Sequence, residues 1–189
     1  MKPASIIAGL LLAAGATVAL AASSAGLAIA DPGLKAARTL TVSSPRFAPG
    51  APIPDDYSSY GKSTSPPLAW SKGPYGTVSF AIVLEDPDAP MPTPFVHWLA
   101  WNLPAAVTHA DEGAVAPGTQ EGKLMFVNKI GYFGPRPPPG TAHHYHFQVF
   151  ALDRQLGLKS GADRAALVDG MKGHVLASGE LVATYQKAP

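Results

Sequence analysis

Four side chains in this sequence have the types and positions to build one small polar pocket: Asp86, His97, His143 and Tyr145. Asp86 opens the string Asp86-Pro87-Asp88-Ala89-Pro90. Its prolines fix φ and hold both acids in one rigid geometry, although the string alone reads as an ordinary Asp-Pro turn. Parity adds to this. A strand over residues 77–85 puts Phe80, Ile82 and Leu84 on one face, and Asp86 continues that face. An acid turned inward at the edge of a core needs partners. His97 lies in the aromatic and β-branched run 95–103, where alternation groups it with Phe95, Leu99 and Trp101. A lone His among apolar neighbours is commonly a satisfied core residue. The short connection to the acidic turn makes an Asp–His pair the alternative, the acid fixing the imidazole tautomer.

His143 and Tyr145 share a face at the start of a third run, 143–152. Ahead of them runs Gly131-Tyr132-Phe133-Gly134-Pro135-Arg136-Pro137-Pro138-Pro139-Gly140, whose glycines can turn backbone N–H groups toward a ligand. Two imidazoles, a phenol and loop amides are the parts of a cradle for phosphate or carboxylate. The string His143-His144-Tyr145-His146 also admits a metal reading, with His144 and His146 as i, i+2 ligands on the opposite face. No His-Glu-x-x-His helix supports it, and no metal or cofactor is assigned. A Gly-x-Ser-x-Gly elbow is also missing, so no catalytic residue is assigned and the chain is read as a non-enzyme.

The elements that must position these residues are mostly strands. Twenty prolines and 19 glycines without a repeat punctuate the chain, which favours short strands and loops over a helical bundle. Strands are expected at 40–43, 77–85, 95–103, 143–152 and 180–185, with a long loop over 105–123. Ser160-Gly161-Ala162-Asp163 offers helix-capping side chains. Ala165, Leu167, Val168 and Met171 then recur at helical spacing before Gly173. The fold class is therefore mainly β, in one domain, with a short helix near the C-terminus.

Hydrophobic residues make up 47% of the 189 and charged residues 14%, enough for a sizeable core. A net charge of +1 without a Lys/Arg run excludes the basic footprint of nucleic-acid binding. The absence of Cys excludes thiolate zinc sites, Cys nucleophiles, disulfides and a lipid-modified Cys anchor. Lys2, an apolar run over 6–22 and Ala28-Ile29-Ala30 before Asp31 describe a secretory signal peptide over residues 1–30, with Ala19-Leu20-Ala21 as a second cleavage site. The mature domain, 31–189, would be secreted or periplasmic and keep no membrane span.

Taken in order, several strings resemble the phosphatidylethanolamine-binding protein family, also called Raf-kinase-inhibitor-like, in its bacterial YbhB/YbcL-type branch. They are Ser65-Pro66-Pro67-Leu68-Ala69-Trp70, Asp86-Pro87-Asp88-Ala89-Pro90, Phe95-Val96-His97-Trp98, Asn102-Leu103-Pro104, Gly134-Pro135, His143-His144-Tyr145, Ala151-Leu152-Asp153 and Gly173-His174-Val175-Leu176-Ala177. The resemblance implies a β-sandwich with a central antiparallel or mixed sheet. It also implies a pocket for phosphate-like or phospholipid head groups. On the matching positions its residues would be Asp86, Asp88, His97, His143 and Tyr145, with Gly134, Pro135, Arg136 and Tyr132 at the rim. Such a protein binds a small phosphorylated or carboxylated ligand, and some family members inhibit kinases or proteases. A secreted inhibitor acting through the 105–123 loop, or a hydrolase or metal protein using the His/Asp cluster, are the competing functions. Three departures bear on ligand choice: His144 replaces the usual Arg, Arg136 replaces a frequent Cys, and residues 123–128 lack the usual Asn and Gly pattern.

Overall fold

The computed structural model describes residues 26–124 and 127–189; the expected leader lies outside them up to Ala25, as do Met125 and Phe126. Among the described residues the chain runs through β1 (Arg38–Thr39), β2 (Val42–Ser43), β3 (Leu68–Trp70), β4 (Ser79–Asp86), β5 (Phe95–Pro104), β6 (His109–Ala110), β7 (Gln120–Glu121), β8 (Ala142–Leu152), α1 (Arg164–Met171) and β9 (Val175–Gln186). A mixed six-stranded sheet has the order β1-β9-β8-β4-β5-β7, with β1 parallel to β9 and the other pairs antiparallel. A small antiparallel sheet has the order β2-β3-β6.

β4 sits in the middle of the large sheet, and all eight of its residues are buried. That is why its sequence is apolar on both faces and not cleanly alternating. One face carries Phe80, Ile82 and Leu84 against Trp98, Phe147 and Val149, and is covered by Val42, Leu68 and Trp70 of the small sheet. The other carries Ala81 and Val83 against Leu99, Trp101 and Phe150, and is covered by Leu167 and Met171 of α1. Each fully buried large side chain contributes about 1.5–3 kcal/mol, so these two layers hold the fold. Asp163 caps α1 by accepting the Ala166 N–H at 2.9 Å. The helix ends at Met171, and Gly173 follows at φ +75°. Gly179 lets the chain between β1 and β2 cross β9, since a Cβ there would lie 2.1 Å from the Leu40 carbonyl oxygen. Among the described residues no helix is long and apolar enough to cross a membrane.

Three expectations need correction. Alternation groups His97 with Leu99 and Trp101, but the β4–β5 register slips at this point. Leu84 pairs with Trp98 and Glu85 with Val96, so His97 is the extra residue of a β-bulge. The slip turns it to the face of Trp98 and Tyr145, away from that of Leu99 and Trp101. The 105–123 segment is not one free loop either. β6 pairs with β3 and β7 pairs with β5, tying it down at two places. The last strand is also longer than residues 180–185: it begins at Val175, in a Val-Leu-Ala-Ser-Gly run whose small residues carry little β signal.

Residues 26–34 cross the helix-covered face, and 26–30 of these precede the expected cleavage point. Leu27, Ala28 and Leu34 are buried there, and Ala28 N–H donates to Glu85 Oε2 at 2.8 Å.

Candidate functional site

The end of β4, the bulge of β5 and the start of β8 bring Asp86, His97, His143 and Tyr145 together. Asp86 Oδ1 accepts the N–H groups of Asp88 and Ala89 at 2.9 and 3.2 Å, which closes the Pro-stiffened turn. Its Oδ2 lies 2.8 Å from His143 Nδ1, and both side chains are only 5% exposed. A carboxylate oxygen accepts, so the imidazole donates through Nδ1 and leaves Nε2 to a ligand. The expected Asp–His pair is therefore Asp86–His143, not Asp86–His97.

His97 Nδ1 lies 2.8 Å from the Phe133 carbonyl oxygen. A carbonyl only accepts, so Nδ1 carries the proton here as well. Burial pulls the His97 pKa down to about 4, against smaller upward contributions from the Phe133 carbonyl and Asp86. The ring is thus neutral near pH 7, and its Nε2 is an acceptor. Phe95 and Phe133 pack on it, with centroids at 4.8 and 5.9 Å, and Tyr145 meets it edge-on at 5.2 Å. The Tyr145 hydroxyl is buried and makes no hydrogen bond of good geometry, although the Asp86 carboxylate and the Arg136 backbone N–H lie near it. Burial first, and the Asp86 carboxylate second, hold its pKa well above the usual phenol range, so it stays an O–H donor. A donor, a neutral acceptor and an Asp-held imidazole therefore converge on one buried spot.

The other expected residues divide between this spot and its surroundings. Asp88 Oδ2 accepts both the backbone N–H and Nδ1 of His144 at 2.7 Å. Burial pushes Asp88 up, but these bonds together hold its pKa below the usual value. Gly134 and Pro135 lie against 57–59: Ser59 N–H donates to the Pro135 carbonyl and Ser59 Oγ–H to that of Gly134. Gly134 is required there, because a Cβ would come within 2.4 Å of the Tyr57 carbonyl oxygen. Its N–H donates to Ser63 Oγ at 3.0 Å, so this amide braces the loop and is not offered to a ligand. Tyr132 is core and not rim: it is buried, meets Trp98 edge-on, and donates its O–H to the Tyr57 carbonyl. Arg136 is exposed, its guanidinium 6.0 Å from the Tyr60 ring.

The i, i+2 pair His144 and His146 is held apart chemically, His144 by Asp88 and His146 by Glu180 at 3.0 Å. Among the described residues no three His, Cys, Asp or Glu side chains gather to hold a metal ion. Cavities of about 630 and 350 Å³ open beside Val96, Leu124 and Arg164 and beside Tyr132 and Glu121. Neither is lined by the four pocket residues.

Sequence reasoning missed a tyrosine pair at the edge of the site. Tyr185 pairs with His143 across β8 and β9, and Tyr60 stacks on it at 6.3 Å. Arg136 and Lys187 lie over the Tyr60 ring, the latter at 5.0 Å. The signal for Tyr185 was register, which needs both strands paired.

Comparison with known proteins agrees with this architecture. The family model described as phosphatidylethanolamine-binding protein matches residues 43–186. A UPF0098 protein of Pyrococcus horikoshii is 43% identical over 142 residues, covering 71% of each chain. A Mycobacterium tuberculosis protein named as a candidate lipoprotein, LppC, is 37% identical and covers 80% of this chain and 74% of its own. Among solved structures, a phosphatidylethanolamine-binding protein homologue from Chlamydia trachomatis has a TM-score of 0.74 at 35% identity, over 79% of this chain and 99% of that one. Escherichia coli YbcL has a TM-score of 0.73 at 30% identity, over 78% and 98%. With its mixed central sheet, its ordered motifs and these relatives, the chain belongs to the phosphatidylethanolamine-binding protein family, in its YbhB/YbcL-type branch.

Proposed function

We propose that this protein is exported and that the cluster of Asp86, His97, His143 and Tyr145 binds a small phosphorylated or carboxylated ligand, such as a phospholipid head group. One observation carries the reading: a buried Tyr145 hydroxyl without a hydrogen bond of good geometry stands beside a neutral imidazole acceptor and an Asp-held His143. A buried hydroxyl left unpaired costs about 1–3 kcal/mol, which a ligand oxygen accepting from it would recover. The donor and acceptor together suit a group that carries both an acceptor oxygen and a proton, as a phosphomonoester monoanion or a carboxylic acid does. Asp86 opposes a dianion and supplies the partner that orients His143. Its carboxylate is engaged by the turn amides and by His143, a positioning role that fits binding. The name of the matched family points to the same ligand class.

Isothermal titration of the protein with phosphoethanolamine tests this reading. Saturable binding is expected, and Tyr145→Phe should weaken it about tenfold, the worth of one hydrogen bond of about 1.4 kcal/mol. Because the hydroxyl makes no hydrogen bond of good geometry in the free protein, the same substitution should change the unfolding midpoint little. Absence of binding at millimolar ligand, or equal affinity for Tyr145→Phe, would refute the assignment.

A further inference from the structure

Glu85 is the sequence neighbour of Asp86 but faces the opposite side of the sheet, where it is fully buried. Its carboxylate accepts from Arg164 Nε–H, from Gln148 Nε2–H at 2.7 Å and from the backbone N–H of Ala28 at 2.8 Å. The same two partners reach further into the N-terminal segment. Gln148 Oε1 accepts the Ile29 N–H at 2.6 Å, and an Arg164 amino group donates to the Gly26 carbonyl at 2.6 Å. Leu27 and Ala28 are 1% and 0% exposed. Gly26, at φ +79°, lies so close to Pro94 that a Cβ would come within 3.0 Å of its ring. Residues 26–30 thus supply backbone partners to a buried carboxylate, a buried amide and a guanidinium, and they also cover apolar surface.

We propose that residues 26–34 are a strap belonging to the mature protein, and that the leader is removed upstream of it, after Ala19-Leu20-Ala21 and not before Asp31. This rests on the export reading given above. A cut before Asp31 would strip Glu85, Gln148 and Arg164 of these partners and uncover the helix-side core, a loss that buried polar groups tolerate poorly. A cut after Ala21 leaves the strap whole. It also puts the apolar run Ile6–Val18, 13 residues, directly ahead of the site, within the length usual for such a region. The step is hydrolysis of the Ala21–Ala22 peptide bond by a leader peptidase. Water gives its hydroxyl to the Ala21 carbonyl carbon and a proton to the leaving Ala22 amine. The strap precedes residue 43, where the family match begins, so it is an addition to the matched region.

The test is expression of the full chain with its own leader in a bacterial host, followed by intact-mass measurement of the exported form. The expected mass begins at Ala22. A mass beginning at Asp31 overturns the strap while leaving export standing. An uncut chain confined to the cytoplasm overturns export and the proposal with it. In the exported protein, Leu27→Ala should lower the thermal midpoint by about 5 °C or more. A midpoint equal to that of the unaltered protein would show that Leu27 does not support the mature fold, and would overturn the proposal even if the mass agreed.

Discussion

Burial removes water from the His97 ring and draws its pKa from 6.5 to about 4, which makes stability depend on pH. Between those values the unfolded chain takes up a proton that the native ring declines. The contribution is therefore fully present above pH 6.5, falls as pH drops, and is lost at about pH 4. A shift of this size corresponds to about 3 kcal/mol. The unfolding free energy from urea titrations should fall from pH 7 to 4 for the unaltered protein, and His97→Asn should remove about 3 kcal/mol of that fall. Equal slopes would contradict the buried neutral ring. Most residues of this site were legible because type and parity agree at Asp86, His143 and Tyr145. The pairing was not, because Asp86 reaches His143 across a strand neighbour that only the register of β4 and β8 defines.

At the scale of elements, the two slips of β4 against β5 shape both faces of the sheet. The first presents His97 to the site. The second makes Asn102 the extra residue, since Phe80 pairs with Leu103 and Ala81 with Trp101. Asn102 adopts φ +64°, and its amide bonds the Leu156 backbone twice, donating to the carbonyl at 2.9 Å and accepting from the N–H at 2.7 Å. Asn102→Ala gives up both bonds and places an alanine in the left-handed region, at a cost of about 3 kcal/mol together. Chemical denaturation should register that loss, and a change below about 1 kcal/mol would contradict the role. Alternation along one strand cannot reveal such bulges. An Asn-Leu-Pro string reads as the end of a strand, while its αL residue becomes visible only against the partner strand. The same limit hid β6 and β7, whose two-residue pairings carry no periodicity.

Across the whole molecule, the central strand divides two kinds of burial. On the side of Asp86, polar groups remain that a ligand could engage. On the side of Glu85, that carboxylate takes its partners from Arg164, Gln148 and the backbone of Ala28. The mainly β class, the C-terminal helix and the ordered motifs were legible in the sequence because composition and turn residues report them directly. The strap was not, because its small apolar residues spell a cleavage site as readily as a packed turn. The central claim is that the cluster around Tyr145 is a ligand site. A crystal structure of the protein grown with phosphoethanolamine tests it most directly. The phosphate is expected with one oxygen accepting from the Tyr145 hydroxyl and another within hydrogen-bond reach of His97 Nε2 or His143 Nε2. A ligand bound elsewhere, with the Tyr145 hydroxyl still unpartnered, would contradict it.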